Sequence, residues 1–288
     1  AQAPARSAWG VLTAPSHATR LTEGSDPPGA VLAAEEPLEA IQRLATGWRR
    51  ELGAQVIGIT GSTGKTSTKD LLLAVLAPHR RTVSSRANYN TEIGLPLEIL
   101  AAPAGTEVLV LEMAMRGAGQ IAELARIADP NVGVIVNVGP VHLELLGTIE
   151  AIAAAKAELI AALPLGGTAV VPVGEPLLEP HLRDDVRTVR FGAEGDVRLL
   201  SIERSPGEAV DELEIDLAGQ RIRLEVSFTQ AHLLRNLLAA VAAAGAVAVV
   251  PQGRVQLALS PGRGQRITLG GGVTLIDDCY NANPMSMR

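Results

Sequence analysis

The segment Thr60-Gly61-Ser62-Thr63-Gly64-Lys65-Thr66-Ser67 places two glycines, a lysine and a run of hydroxyls directly behind the apolar stretch Val56-Ile57-Gly58-Ile59. Those residue types in that order suit phosphate. Gly61 and Gly64 can turn backbone N–H groups inward, and a helix opening at Lys65 adds its positive end at the same spot. Lys65 would set a compact charge on the β and γ phosphates of ATP, and Thr66 a hydroxyl on Mg²⁺. Ile59 stands where the commonest phosphate loop has a glycine, five places before Gly64, so the loop present is Gly-x-x-Gly-Lys-Thr. The bland alternative is a Gly/Ser turn capping an ordinary helix. The joint occurrence of strand, turn, Gly-Lys-Thr and amphipathic helix argues against it.

Further candidates follow from the rule that open parallel sheets gather ligands at the carboxyl ends of their strands. Glu112 ends the run Val108-Leu109-Val110-Leu111, and a carboxylate facing a phosphate loop suits Mg²⁺; a solvent-facing acid or a helix cap is the alternative. His142 follows the apolar run from Val132 through Asn137-Val138-Gly139-Pro140, a position that favours function over the structural role of most lone histidines. Lys156 lies fourteen residues later among alanines, where a snorkelling surface lysine is the alternative. Composition sharpens that choice, because the chain has 22 arginines and only three lysines, Lys65, Lys69 and Lys156. Lysine differs from arginine in being able to lose its proton or act as a point charge. Lys69, one turn beyond Lys65, reads as a solvated surface residue, which leaves Lys156 to be explained. Asn236, in His232-Leu-Leu-Arg235-Asn236, can read an adenine edge or serve as a cap. Arg263 can pair with phosphate. Downstream of it, Ile276 to Pro284 is too densely polar for a simple turn.

The elements that position these residues read as strand, helix, strand, helix. Strands are expected at Val56–Thr60, Thr82–Ser84, Val108–Glu112, Val132–Val138 and Thr168–Pro172, with helices at Lys65–Leu76, Leu95–Leu100, Gly119–Ala128 and Ile149–Leu163. Continuously apolar strands belong to a parallel sheet buried on both faces, so the fold class is α/β with a mostly parallel, doubly wound sheet. Strict alternation in Leu213–Leu217 and Arg221–Val226 around Ala218-Gly219 adds a small antiparallel subsheet. A long Ala/Leu helix is expected from about Gln230 to Ala248, then two strands flanking Gly270-Gly271-Gly272. Before the loop, Ala1 to Gly29 reads as irregular, Val31-Leu32 as a short strand, and Pro37–Arg50 as a helix with one apolar face.

Composition narrows the function classes. The net charge is −6 and basic runs stop at pairs, so nothing resembles a nucleic-acid footprint. The longest apolar run, Leu237 to Val250, is too short to cross a bilayer, and the start of the chain carries no apolar signal core. A lone Cys279 fits a reducing cytoplasm.

Taken together, Thr60 to Thr66, Leu111-Glu112-Met113, Asn137-Val-Gly-Pro-Val-His142-Leu-Glu144, Lys156, His232 with Asn236, and Asp277 to Pro284 resemble the Mur ligases, ATP-dependent amide ligases of peptidoglycan precursor synthesis. Asn88-Tyr-Asn90-Thr-Glu92-Ile-Gly94-Leu-Pro96 and Asp277-Asp-Cys-Tyr-Asn-Ala-Asn-Pro284 look like the MurF branch. The resemblance implies a P-loop central domain over residues 52–288, and over residues 1–51 a shortened UDP-substrate region with a linker helix. The branch's third, Rossmann-like domain has no counterpart in this sequence. It implies ATP as nucleotide, UDP-N-acetylmuramoyl-tripeptide and D-Ala-D-Ala as partners, and a cytoplasmic monomer. Thr66 and Glu112 would hold one Mg²⁺. His142 and Lys156, carbamylated by CO₂, would hold a second, which requires a neutral amine. Lys65, His142 and Lys156 would be the catalytic set. Asn236 would face adenine, Asp278 the ribose and Arg263 the phosphates, with Asn90, Glu92, Tyr280, Asn281 and Asn283 on substrate. The competing readings are a MurE-like or folylpolyglutamate-synthase-like ligase, or a P-loop regulatory protein that is no ligase.

Overall fold

The computed structural model describes residues 10–23, 29–86, 88–141, 143–204 and 210–280. It opens with β1 (Gly10–Thr13), α1 (Pro15–Thr22) and β2 (Ala30–Ala33), the two strands forming a separate parallel pair. For residues 10–22 this corrects the expectation that Ala1 to Gly29 is irregular, of which residues 1–9 and 24–28 lie outside the described residues: a four-residue strand has little preference of its own, and pairing with a distant partner supplies its order.

The main body runs α2 (Pro37–Leu52), β3 (Gln55–Thr60), α3 (Lys65–Leu76), β4 (Thr82–Ser84), α4 (Gly94–Ala101), β5 (Val108–Glu112), α5 (Gln120–Ala128), β6 (Val132–Ile135), α6 (Leu143–Leu146), α7 (Ile149–Ala161), β7 (Thr168–Pro172) and β8 (Arg187–Phe191). It continues through β9 (Val197–Arg204), β10 (Asp211–Leu217), β11 (Gln220–Val226), α8 (Ala231–Ala246) and β12 (Gly253–Arg254), and closes with the hairpin β13 (Gln265–Thr268) and β14 (Thr274–Asp277). Ten strands form one sheet in the order β12-β11-β10-β9-β8-β7-β6-β3-β5-β4. The span from β4 to β8 is wholly parallel, and the antiparallel strands β9 to β11 join it through one pairing, Phe191 with Val197.

Alternate residues of the central strands feed two separate cores, which is why those strands are apolar throughout. Ile57, Ile59, Val108 and Val110 pack on one face with α3 and α8, while Val56, Leu109 and Leu111 pack on the other with α4, α5 and α7. The helix α2 is fastened to that second layer, with Trp48 Nε1 donating to the Ala102 carbonyl at 3.0 Å and Thr46 Oγ1 to that of Ile127 at 3.0 Å.

Two glycines seat the helix that carries Lys156. Gly58 and Gly133 are neighbours across β3 and β6. A Cβ at Gly133 would meet Leu159 Cγ at 2.9 Å, and one at Gly58 would meet Leu159 Cδ1 at 3.1 Å. Their bare backbones form the slot that lets Leu159, and with it α7, close onto the sheet. From the same helix Glu158 accepts the Gly119 and Ala122 N–H groups at 2.6 and 3.0 Å, capping the start of α5 with negative charge.

Candidate nucleotide site

The carboxyl ends of β3, β5 and β6 converge where the strand order reverses, the place where open α/β sheets take ligands. From β3 the chain passes through Gly61 to Gly64 and enters α3 at Lys65. Gly64 has φ 77°, in the left-handed region that suits glycine, and its open face abuts the Asn236 carboxamide. Among the described residues, no acceptor meets the backbone N–H groups of Gly64, Lys65, Thr66 or Ser67, whereas Thr68 N–H closes the first helical turn on the Gly64 carbonyl at 2.8 Å. Four donors at the positive end of a twelve-residue helix form a cradle for an anion.

One side chain from the β6 end fixes the first half of the loop. Asn137 Oδ1 accepts the Ser62 and Thr63 N–H groups at 3.1 and 3.0 Å, while Nδ2 donates to the Thr63 carbonyl and Oγ1, both at 3.1 Å. Ser62 Oγ and the backbone of Gly139 exchange two hydrogen bonds at 2.9 Å. Spacing alone does not reveal this brace; the signal is an asparagine directly after an apolar strand.

Three of the expected residues meet at the mouth of the cradle. Thr66 Oγ1 donates to Glu112 Oε2 at 2.8 Å, and the carboxylate is 3 % exposed. The other oxygen of Glu112 accepts from Asn90 Nδ2 at 2.9 Å, and its backbone N–H donates to Ser85 Oγ at 3.0 Å. Asn90 therefore orients the candidate metal carboxylate. Lys65 Nζ donates to the Gly61 carbonyl at 2.9 Å, arching back over the loop. Burial of the ammonium holds its pKa below that of an ordinary lysine; Glu112 opposes this and Arg263 adds to it. The Arg263 guanidinium lies 3.4 Å from Thr66 Oγ1 and 4.1 Å from the Tyr280 ring centre.

Lys156 is 2 % exposed, so the snorkelling alternative is overturned. Burial, and behind it the charge of Lys65, bring its pKa down to about 7. A buried ammonium without a counter-charge is costly, and its neutral amine is correspondingly favoured. Lys69 also departs from expectation. It is buried rather than solvated, with Nζ 2.9 Å from Asp70 Oδ1 in a pair shielded from water.

The family model of the Mur ligase middle domain matches residues 59–244, a span that contains this loop. The chain belongs to the Mur ligase family. It is 36 % identical over 90 % of its length to the UDP-N-acetylmuramoyl-tripeptide–D-alanyl-D-alanine ligase of Bacillus subtilis, spanning 57 % of that protein. It is 41 % identical over 87 % of its length to the ligase of the same name from Mycobacterium tuberculosis, spanning 51 %. Among solved structures, the MurF ligase of Thermotoga maritima in complex with ADP matches 97 % of this chain and 64 % of its own, with 30 % identity and a TM-score of 0.81. The chain thus spans between half and two thirds of these relatives.

The remaining site residues of this Mur ligase chain separate into those near the loop and those apart from it. Asn236 is 5 % exposed and sits against the loop itself, at Gly64. Asp278 and Tyr280 are exposed beyond β14, and Glu92 is exposed with its carbonyl accepting from Gln42 Nε2 at 3.1 Å. His142, Asn281 and Asn283 lie outside the described residues. Among the described residues no group of three or more His, Cys, Asp or Glu is placed to hold a metal. The described candidate ligands are instead a hydroxyl, a carboxylate and a lysine.

Proposed function

We propose that this chain is the ATP-binding core of a MurF-type ligase, joining D-Ala-D-Ala to the terminal carboxylate of UDP-N-acetylmuramoyl-tripeptide. The observation that carries the reading is the Thr66–Glu112 pair at the mouth of an open N–H cradle, with the buried, neutral-prone Lys156 within electrostatic reach of Lys65. The names of the relatives supply the substrates.

The cradle fits an ATP·Mg²⁺ complex. Its free N–H groups and Lys65 supply donors for phosphate oxygens, and Thr66 Oγ1 and Glu112 Oε2 supply the hard oxygen donors that Mg²⁺ takes. Bound there, the metal would offset the phosphate charge that grows during transfer. Asn90 holds Glu112 in orientation and Asn137 holds the loop open, so little must reorganise when nucleotide enters. Arg263 stands beside Thr66 as a second cation for the phosphate chain.

A carboxylate resists attack by an amine, so it must first be activated. A carboxylate oxygen of the tripeptide attacks the γ phosphorus, the bond to the β–γ bridging oxygen breaks, and ADP leaves. The dipeptide amine then attacks the acyl phosphate, loses a proton, and phosphate departs with one oxygen of the original carboxylate. The residues contribute position and charge, with little acid–base chemistry.

Lys156 takes a carbamate in this reading. Its neutral amine would add to CO₂ and release a proton, leaving a carbamate anion in place of a group that, when protonated, repels metal; with His142 it would hold a second Mg²⁺. We assign residues 52–288 to this ATP core and residues 1–51 to the substrate-side region, with the reaction in the cytoplasm.

ADP release by the complete protein tests the reading. Release that requires UDP-tripeptide and D-Ala-D-Ala together supports it. Release with folate and glutamate would favour the folylpolyglutamate-synthase-like alternative, and release indifferent to any acceptor would favour a regulatory P-loop protein.

A further inference from the structure

Asp70 lies one turn beyond Thr66 on α3 and is 7 % exposed, yet the phosphate chemistry leaves it unused. Its Oδ2 accepts the Ser260 backbone N–H at 2.8 Å, and Oδ1 accepts the Ser260 hydroxyl at 3.1 Å and lies 2.9 Å from Lys69 Nζ. Lys69 is itself 3 % exposed, so the clamp is charge-balanced and dry.

Ser260 begins a compact turn. Gln265 ties that turn to itself, accepting Gly262 N–H at 3.0 Å and donating to the Leu259 carbonyl at 3.0 Å. The turn carries Arg263 and is joined to the final hairpin by Gly264 N–H on the Asp277 carbonyl at 2.8 Å. Among the described residues, the hydrogen bonds between α3 and this whole segment are the two at Asp70 and the longer one from Arg263 to Thr66. The firm attachment is at Asp70 and the loose one at the guanidinium.

We propose that Asp70, balanced by Lys69, is the positioning residue for Arg263: it locks the Ser260 turn to the phosphate-loop helix and so holds the guanidinium at Thr66, where the phosphate chain binds. The assignment rests on the ATP reading given above. Geometry explains the choice of groups. An aspartate on the first turns of the same helix registers the turn against Lys65 and Thr66 through two bonds to one serine, and a charged acceptor makes both of them strong. Arginine gains most from such registration, because its planar fork binds phosphate only in a narrow range of orientations.

The test is a set of double-mutant cycles on the complete protein, reading ATP·Mg²⁺ affinity by calorimetry and fold by denaturant unfolding. Lys69→Met with Asp70→Leu removes the clamp as a neutral, size-matched pair and leaves no buried charge. We expect a folded protein whose ATP affinity falls roughly tenfold, the scale of one charge-assisted hydrogen bond. Arg263→Ala should cost a similar factor, and combining it with the paired change should add nothing, since the guanidinium being positioned is gone. Ser260→Ala, which deletes one bond and retains the fold, should show a smaller loss that likewise disappears in the Arg263→Ala background; this cycle decides if the paired variant is unfolded. Wild-type affinity in the folded clamp variants, or losses that multiply with Arg263→Ala, would overturn the proposal. Absence of ATP binding by the unaltered protein would instead overturn the ATP reading beneath it.

Discussion

Replacing Lys156 by methionine should stabilise the ligand-free protein, by an amount that shrinks as pH rises. The native pKa is lowered from 10.5 to about 7. Below pH 7 the lysine is charged in both states and the folded state bears the full cost of burying it. Between pH 7 and 10.5 the unfolded chain binds the extra proton, so wild-type stability rises with pH across that window. At about 1.4 kcal/mol per pKa unit, the cost is roughly 5 kcal/mol at pH 6 and roughly 2 kcal/mol at pH 9. The Lys156→Met advantage should therefore narrow by about 3 kcal/mol between those two pH values. Urea unfolding of both proteins, in bicarbonate-free buffer with chelator, measures it. A gap that is the same at pH 6 and pH 9 would refute the reasoning, because it would mean that Lys156 titrates alike in the folded and unfolded states. The same shift leaves about nine tenths of the amine neutral at pH 8, against well under one per cent for an ordinary lysine. Lys156→Arg, which cannot lose its proton, should accordingly abolish turnover.

Other outcomes follow from the loop geometry. Lys65→Ala should fold and lose most of its ATP·Mg²⁺ affinity in calorimetry; unchanged affinity would remove Lys65 from the phosphates. Asn137→Ala removes the acceptor of Thr63 N–H, leaves Ser62 N–H only the Asn137 backbone carbonyl at 3.2 Å, and should cost about 1–3 kcal/mol of stability by urea unfolding, together with weaker ATP binding. Gly64→Ala forces an alanine to φ 77° and brings Cβ to 2.9 Å from Asn236 Oδ1, so it should lower the melting temperature and the nucleotide affinity together. Glu112→Gln should raise the Mg²⁺ concentration needed for half-maximal rate about tenfold or more while leaving the KM for D-Ala-D-Ala near its original value.

The parallel half of the sheet was legible because its signals are local. Helix Lys65–Leu76 and strands Thr82–Ser84, Val108–Glu112 and Thr168–Pro172 have the bounds that their apolar runs and flanking residues imply. The strand expected to reach Val138 ends at Ile135 because Asn137 and Gly139 turn inward to brace the loop. What periodicity missed depends on distant partners. β1 is ordered by β2, and Val197–Arg204 exposes most of its length and draws its order from β10. The same holds within the site. Lys65, Thr66 and Glu112 announce themselves by type and by position at strand ends, whereas Asn137 and Asp70 act on residues 75 and 190 positions away in the chain. For Lys69 the sequence shows a lysine one turn from the loop but not its burial or its ion pair with Asp70, whose other partner is the distant Ser260.

Isotope transfer during a single turnover tests the ligase chemistry most directly. With the complete protein, ATP, Mg²⁺, D-Ala-D-Ala and UDP-tripeptide carrying ¹⁸O in its terminal carboxylate, activation through an acyl phosphate moves one ¹⁸O into the inorganic phosphate released as the amide forms. Phosphate free of ¹⁸O, with amide product present, would contradict it.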